Sequence, residues 1–329
     1  MLTFVIQRFV LALATIWAIS IIAFLVIQLP PGDFVDAYIA QLSASGSVVS
    51  RETAENIREQ YGVNDPIHEQ YIRWIQRILT GDFGVSIEFQ LPVMQVIGDR
   101  LWLTMVVSVA AIFITWGIAL PIGVYSAVKQ YSPGDYVATF IGFIGLAIPN
   151  FLLALIIMYF GFKWFGLSVG GLFSPEYALE PWSLAKVWDL IKHLPLPVII
   201  LAMAGTAQLV RIMRANLLDE LNKPYVVTAR AKGISETRMI LKYPVRAALN
   251  PFVSTVGYLF PFIVSGSIIV SVVLSLPTVG PVLLRALIAQ DMFLAGTIVL
   301  LLGVMTVIGT FISDLLLMWV DPRIRLGAK

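Results

Sequence analysis

Six stretches of the chain contain no Asp, Glu, Lys or Arg: residues 9–32, 101–128, 136–162, 194–210, 247–284 and 292–313. Between them the charged positions are crowded together. A helix that crosses a bilayer needs roughly 20 predominantly apolar residues, because hydrocarbon offers backbone amides no partner outside the helix itself. Five of the runs reach that length. The run starting at Leu194 is shorter, and it extends through Arg211 to about Arg214 if those long side chains snorkel to the interface. The run at 247–284 is too long for one crossing, and the expectation there is a helix followed by a partly re-entrant segment. The pattern therefore predicts an all-α membrane protein with six transmembrane helices.

The polar segments predict smaller elements. After the first span, Ser50 is placed to cap a helix that Gly62 stops. A second helix is expected at 67–79, where Tyr71, Trp74, Ile75 and Ile78 recur at helical spacing. Gly81-Asp82-Phe83-Gly84 then turns the chain, so a small helical subdomain is expected outside the membrane. A second outer loop, residues 166–193, carries Phe173, Tyr177, Trp182 and Trp188. Aromatics there suit an interfacial belt or packing near the headgroups, with contact to a docking partner as the other reading. No internal repeat or inverted symmetry is visible.

Composition agrees with the run lengths. Hydrophobic residues make up 58% of the 329 and charged residues only 13%, about half the roughly 25% of a soluble domain. Lysine and arginine then set orientation, since short loops rich in them stay in the cytoplasm. Residues 211–246 hold eight basic residues against three acids, whereas residues 33–100 hold five arginines against ten acids. The first segment is cytoplasmic and the second external. An even number of spans places both termini inside, beside Arg8 and beside Arg323, Arg325 and Lys329. Leu29-Pro30-Pro31-Gly32 lacks a small-x-small cleavage pattern, so the first span reads as a retained anchor. The net charge of +2 says little about partners, and no nucleic-acid partner is expected. There is no cysteine, and His68 and His193 stand far apart, so no metal site is expected.

Residues suited to catalysis are few. No G-x-x-x-x-G-K-[ST] phosphate loop and no nucleophile elbow occurs. The acids lie outside the spans apart from Asp314, near the end of the sixth, and acids in spans are functional suspects by default. It sits within two turns of the interface at Trp319 and Asp321, so a structural pairing with a nearby arginine is the favoured reading. An ion-coupled secondary transporter would need more ionisable groups at depth. The basic loop is more informative. Thr228, Ala229, Arg230, Ala231, Lys232, Gly233, Ile234, Ser235 and Glu236 are placed to form a helix, a glycine break and a second helix. Such an elbow protrudes, Ala229 and Ala231 permit close approach of another backbone, and Gly233 tolerates a left-handed turn. A basic helix lying on anionic lipid is the alternative.

Thr-Ala-Arg-Ala-Lys-Gly followed by Ile-Ser-Glu resembles the coupling-loop motif of binding-protein-dependent ABC permeases, in the version of the dipeptide/oligopeptide/nickel permease family. The first membrane subunit of that family shows further similarities along the whole chain. These are Leu29-Pro30-Pro31-Gly32-Asp33, then Tyr61-Gly62-Val63-Asn64-Asp65-Pro66, Gln70-Tyr71, Gly81-Asp82-Phe83-Gly84-Val85-Ser86 and the closing Asp321-Pro322-Arg323-Ile324-Arg325. Two departures stand out. Val227, Thr228 and Ala229 occupy the place of the wider family's Glu-Ala-Ala, and Tyr243-Pro244 breaks the following helix early.

The resemblance implies the type I ABC importer permease fold, in the bacterial inner membrane. It implies an N-terminal anchor (1–30), an extracytoplasmic subdomain (31–98), a five-helix permease core (99–320) with a coupling loop at 215–250, and a cytoplasmic tail (321–329). The implied partners are a homologous second permease, two cytoplasmic ATPase subunits, an extracytoplasmic solute-binding protein and the lipid bilayer. No cofactor is expected on this chain, with ATP and magnesium held by the ATPase subunits. The implied function is a translocation path for peptides or similar small oligomeric solutes; oligosaccharides or a metal chelate are the alternative cargo. Pro149 and Asn150 in the third span and Phe260 and Pro261 in the fifth are candidates for the substrate path, as kinked or small-residue positions. Gly280-Pro281 is a candidate for shaping the re-entrant segment.

Overall fold

The computed structural model describes residues 2–28, 65–166, 170–254, 256–289 and 291–320, with a few positions between 39 and 59. The helix expected at 50–62, the Leu29–Asp33 and Tyr61–Asn64 segments and the closing Asp321–Arg325 lie outside these described residues. Thirteen helices run through the described residues: α1 (Leu2–Gln28), α2 (Ile67–Leu79), α3 (Val93–Val128), α4 (Pro133–Ala147), α5 (Asn150–Phe165), α6 (Leu184–His193), α7 (Pro195–Leu221), α8 (Pro224–Ala231), α9 (Glu236–Lys242), α10 (Pro244–Ser254), α11 (Val256–Val273), α12 (Val279–Ile288) and α13 (Met292–Val320). The only β pairing among them is an isolated bridge between Val85 and Pro92.

Four helices are long and apolar enough to cross a membrane: Val5–Val26, Val93–Val128, Pro195–Leu221 and Phe293–Leu316. They correspond to the first, second, fourth and sixth expected spans. The third is broken. α4 and α5 meet at 105° and count as one crossing only as a bent pair. Proline causes the break: Pro149 cannot donate a helical hydrogen bond and pushes the residue before it into extended backbone. Ile148 accordingly has φ −91° and ψ 121°. The long fifth run is divided as well. α11 contains 18 residues, roughly 27 Å at 1.5 Å per residue, just under the ~30 Å of hydrocarbon. It ends at a tight turn where Ser275 takes φ 51° and Leu276 N–H donates to Ser271 O at 2.8 Å, and α12 follows separately.

The chain forms two compact units. The first comprises residues 1–10, 103–277 and 308–329, and α7 is its axis, touching α4, α5, α6, α10 and α11. Leu201, Leu209, Met213 and Leu217 on α7 are fully buried, as is Phe252, whose ring meets Trp116 edge-on at 5.1 Å. α3 comes close to α7 because Gly123 has no side chain: a Cβ there would lie 2.7 Å from Met213 Cβ and 3.2 Å from the Val210 carbonyl. Arg214 does not reach freely for the interface as the fourth run suggested. It forks onto the buried Asp135 at the start of α4, with N···O distances of 3.1 and 3.0 Å. Asp135 also accepts the Tyr131 N–H, and its own N–H donates to the Ser132 cap. Pairing satisfies both charges where burial alone would penalise them. Asp314 pairs with Arg8 at 3.3 Å.

The segment between α5 and α7 in this unit is folded on itself. The Lys186 ammonium lies 5.0 Å from the Phe173 ring and 5.4 Å from Trp182, so two of the loop aromatics enclose the chain's own lysine. Asp189 accepts the Ser174 N–H at 2.7 Å and its hydroxyl at 2.8 Å. Burial pushes the Asp189 pKa up, but those bonds and the nearby His193 and Lys192 charges outweigh it and hold it below the ordinary value. Gly171 N–H donates to Leu274 O at 2.8 Å, pinning the loop to the end of α11.

The second unit comprises residues 11–102 and 278–307. α2 follows the predicted face: Tyr71, Trp74, Ile75 and Ile78 pack into a cluster with Ala23, Phe24 and Leu300, and the Tyr71 and Ser20 hydroxyls share a hydrogen bond of 2.7 Å. The Gly81–Ser86 turn has a specific anchor. The Gly84 N–H bonds the Asp82 carboxylate at 3.0 Å, which holds its pKa below the ordinary value. At φ +80°, Gly84 leaves room for the Phe293 ring, which would lie 3.2 Å from a Cβ there. The Ser86 hydroxyl and Glu88 N–H then donate to Asp291, at 2.5 and 3.0 Å. Asp291 is fully buried and caps α13 by accepting the Leu294 N–H at 3.2 Å.

Candidate functional site: a braced basic elbow

The basic loop folds as the helix, break and helix that its residues predict, and each joint has a local cause. At the end of α7, Glu220 accepts both the Lys223 ammonium and the Tyr225 hydroxyl at 2.5 Å. Pro224 opens α8, where its missing N–H costs nothing. Val226 and Ala229, three residues apart, are buried on one face of α8, while Thr228 bonds the Pro224 carbonyl at 3.0 Å and stays exposed. Lys232 ends the helix and Gly233 follows at φ +75°, with open space where a Cβ would stand. That left-handed residue reverses the chain at no steric cost. α9 then buries Met239 and Ile240. It stops at Tyr243, whose successor Pro244 begins α10, so the early break read from Tyr243-Pro244 is a true corner.

A guanidinium–carboxylate fork spans the corner. Arg230 Nε lies 3.1 Å from one Glu236 oxygen and Nη2 lies 2.6 Å from the other, both side chains being about half exposed. Each holds the other charged: Glu236 is shifted below and Arg230 above its ordinary pKa, in both cases chiefly through this hydrogen bonding. Beside the fork, Gly233, Ile234, Ser235, Arg238, Lys242 and Tyr243 line a polar cavity of about 410 Å³. The elbow thus presents cations and backbone on a protruding corner, an arrangement suited to docking rather than bond-making.

The predicted residues separate into three groups. Ala231, Lys232, Gly233 and Ser235 are exposed on the corner. Ala229 is not available for another backbone, because it is buried against its own chain together with the partly buried Ile234. Arg230 and Glu236 face one another. Away from the loop, Pro149 and Asn150 form the α4–α5 bend, and a Cβ on Gly266 of α11 would lie 3.9 Å from Asn150 Nδ2. Phe260 and Pro261 lie on α11, with side chains outside the described residues. Gly280 and Pro281 lie in the first turn of α12.

Three buried acids, Asp135, Asp189 and Asp291, were not singled out in the sequence. Asp135 has a legible signal, since Ser132-Pro133 followed by an acid in the first turn is a helix-start pattern. Asp291 has a weaker one, an isolated acid immediately before an apolar helix.

An apolar helical core with several helices able to cross a membrane and a basic elbow fits a membrane transport subunit. Residues 119–326 match the family of binding-protein-dependent transport system inner membrane components, and residues 1–108 match the N-terminal region of such components. The chain belongs to this family. It is 34% identical over 327 residues to the oligopeptide transport system permease protein AppB of Bacillus subtilis, covering 99% of this chain and all of the relative. It is 28% identical over 341 residues to the dipeptide transport system permease protein DppB of Escherichia coli K12, covering 99% of each. It is 30% identical over 329 residues to the glutathione transport system permease protein GsiC of Salmonella paratyphi A, again covering 99% of each. The protein is therefore a multi-pass inner-membrane permease subunit of an ATP-driven importer, and ATP hydrolysis belongs to separate subunits. Permeases of this family work in general with a partner permease, ATPases and a binding protein.

Proposed function

We propose that this permease conducts peptides inward, and that residues 228–236 are where ATP-driven motion enters it. The braced elbow is the observation that carries the second part; the relatives named for oligopeptide, dipeptide and glutathione transport support the first. In this reading both termini and the elbow are cytoplasmic, in line with the basic excess at 211–246. A homologous permease completes the path, two ATPase subunits holding ATP and magnesium meet the elbows, and an external binding protein delivers the peptide.

The buried faces of α8 and α9 join the core that contains Leu217 and Phe252, so displacement of the elbow is passed to α7 and α10 as rigid elements. α7 in turn packs on α4, α5 and α11, which places the Pro149–Asn150 bend within reach of the same motion. Coupling requires that the ATPase bind the elbow differently in its two nucleotide states. The test is peptide uptake by the assembled transporter in proteoliposomes. Gly233→Val, which forces a β-branched residue to φ +75° at a cost of about 1–2 kcal/mol, is expected to cut uptake per ATP hydrolysed about tenfold while the permease still inserts. Unchanged coupling in that variant would remove the elbow from the mechanism.

A further inference from the structure

We infer that Arg230 and Glu236 are a positioning pair that sets the elbow angle, and that the ATPase is met through the cavity beside them, where Arg238 and Lys242 take a carboxylate of that subunit. This rests on the coupling role proposed above and divides the loop's charges into two jobs. Arg230 directs both Nε and Nη2 at Glu236. A partner carboxylate would have to displace an internal one already held in a two-point fork, the most directional ion pair available to arginine.

The fork also spans Gly233, which packing leaves unrestrained. Nothing lies within 4 Å of a Cβ at Gly233, and the backbone there is held locally by the Gly233 N–H to Arg230 O bond at 3.0 Å. Removing the fork frees the angle between α8 and α9 without unseating either, because Val226, Ala229, Met239 and Ile240 remain buried in the core.

Arg238 and Lys242 stand four residues apart on one face of α9 and both line the cavity of about 410 Å³. Among the described residues no carboxylate lies within ion-pair distance of either. The Lys242 ammonium leans over the Tyr243 ring at 5.4 Å, and the residue is exposed. Two cations lining an open polar recess accept a carboxylate with little desolvation, and such pairs govern partner choice more than raw affinity. The charge complement is an aspartate or glutamate on the ATPase.

The experiment uses the whole transporter in zwitterionic lipid, with R230E, E236R, R230E/E236R and R238E/K242E. Retained partner permease in each preparation shows that the variant has folded, and the milder R238Q/K242Q replaces the reversal if it has not. Each single reversal should lower peptide uptake per ATP about fivefold with the ATPase still bound, and the double reversal should recover to within about twofold, since swapped charges rebuild the same fork. R238E/K242E should lose about tenfold or more of the co-purifying ATPase, and a reversed acid on the ATPase should restore it. A double reversal as impaired as its worse parent would mean that Arg230 or Glu236 meets the partner directly. Single reversals without effect, or full ATPase retention by R238E/K242E, would equally overturn the assignment. If Gly233→Val also couples normally, the coupling role itself has failed, and not only this division of charges.

Discussion

Asp291 shows how much of the second unit depends on one carboxylate. It accepts from Ser86, Glu88 and Leu294, tying the Gly81–Ser86 turn to the start of α13. Asp291→Ala leaves three donors without an acceptor, two of them in buried bonds and the Glu88 N–H in a part-buried one. The expected loss is about 3 kcal/mol, since each orphaned buried group costs on the order of 1 kcal/mol or more. Ser86→Ala removes two bonds, its own to Asp291 and the one it accepts from the Phe89 N–H, and should cost about 1–2 kcal/mol. Thermal unfolding of the purified permease would check the order, and equal midpoints for the two variants would contradict it. The same turn explains why its residues form a recognisable motif: Gly84 is needed for a positive φ and for room beside Phe293, and Ser86 for its hydroxyl.

Among the elements, α3 and α7 depend on close approach. Gly123 and Gly117 both lie on α3, yet a Cβ at Gly117 would meet nothing within 4 Å, whereas one at Gly123 would lie 2.7 Å from Met213 Cβ. Alanine improves helix propensity by about 1 kcal/mol at either position. At Gly123 overpacking of roughly 1–3 kcal/mol opposes that gain. Gly117→Ala is therefore expected to leave the unfolding midpoint unchanged or raised, and Gly123→Ala to lower it. A lowered midpoint for Gly117→Ala alone would show that the approach is not where the packing is tightest. The elements also show where periodicity stops being informative. The absence of charge delimited the third run correctly, but the 105° turn inside it came from Pro149, whose kink depends on whether neighbouring helices accept a bend.

For the whole molecule, topology is the open quantity, and the absence of cysteine makes it easy to measure. Thr237, exposed on α9, and Glu176, exposed in the outer loop, are predicted to lie on opposite sides of the membrane. In intact cells a membrane-impermeant thiol reagent should label Glu176→Cys and leave Thr237→Cys unlabelled until the membrane is opened. The reverse pattern would invert the orientation and with it the direction of transport proposed here.

The sequence by itself determined the solvent of this protein, most of its helix positions and the motif by which its basic elbow resembles a coupling loop. Those properties depend on local terms: run length against bilayer thickness, caps and glycines at helix ends, and a linear motif. Tertiary structure decided how the charges are used. Nothing in the order of residues required Arg214 to meet Asp135, 79 positions away, or Ser86 to meet Asp291 across 205. Nor did it require Ala229 to face inward rather than toward a partner. The Arg230–Glu236 fork lies between: the residues are six apart and visible in the motif, but they meet only because Gly233 reverses the chain between them. Charges in a chain of low polarity are placed by the need for a partner on burial, and that partner is chosen by the fold.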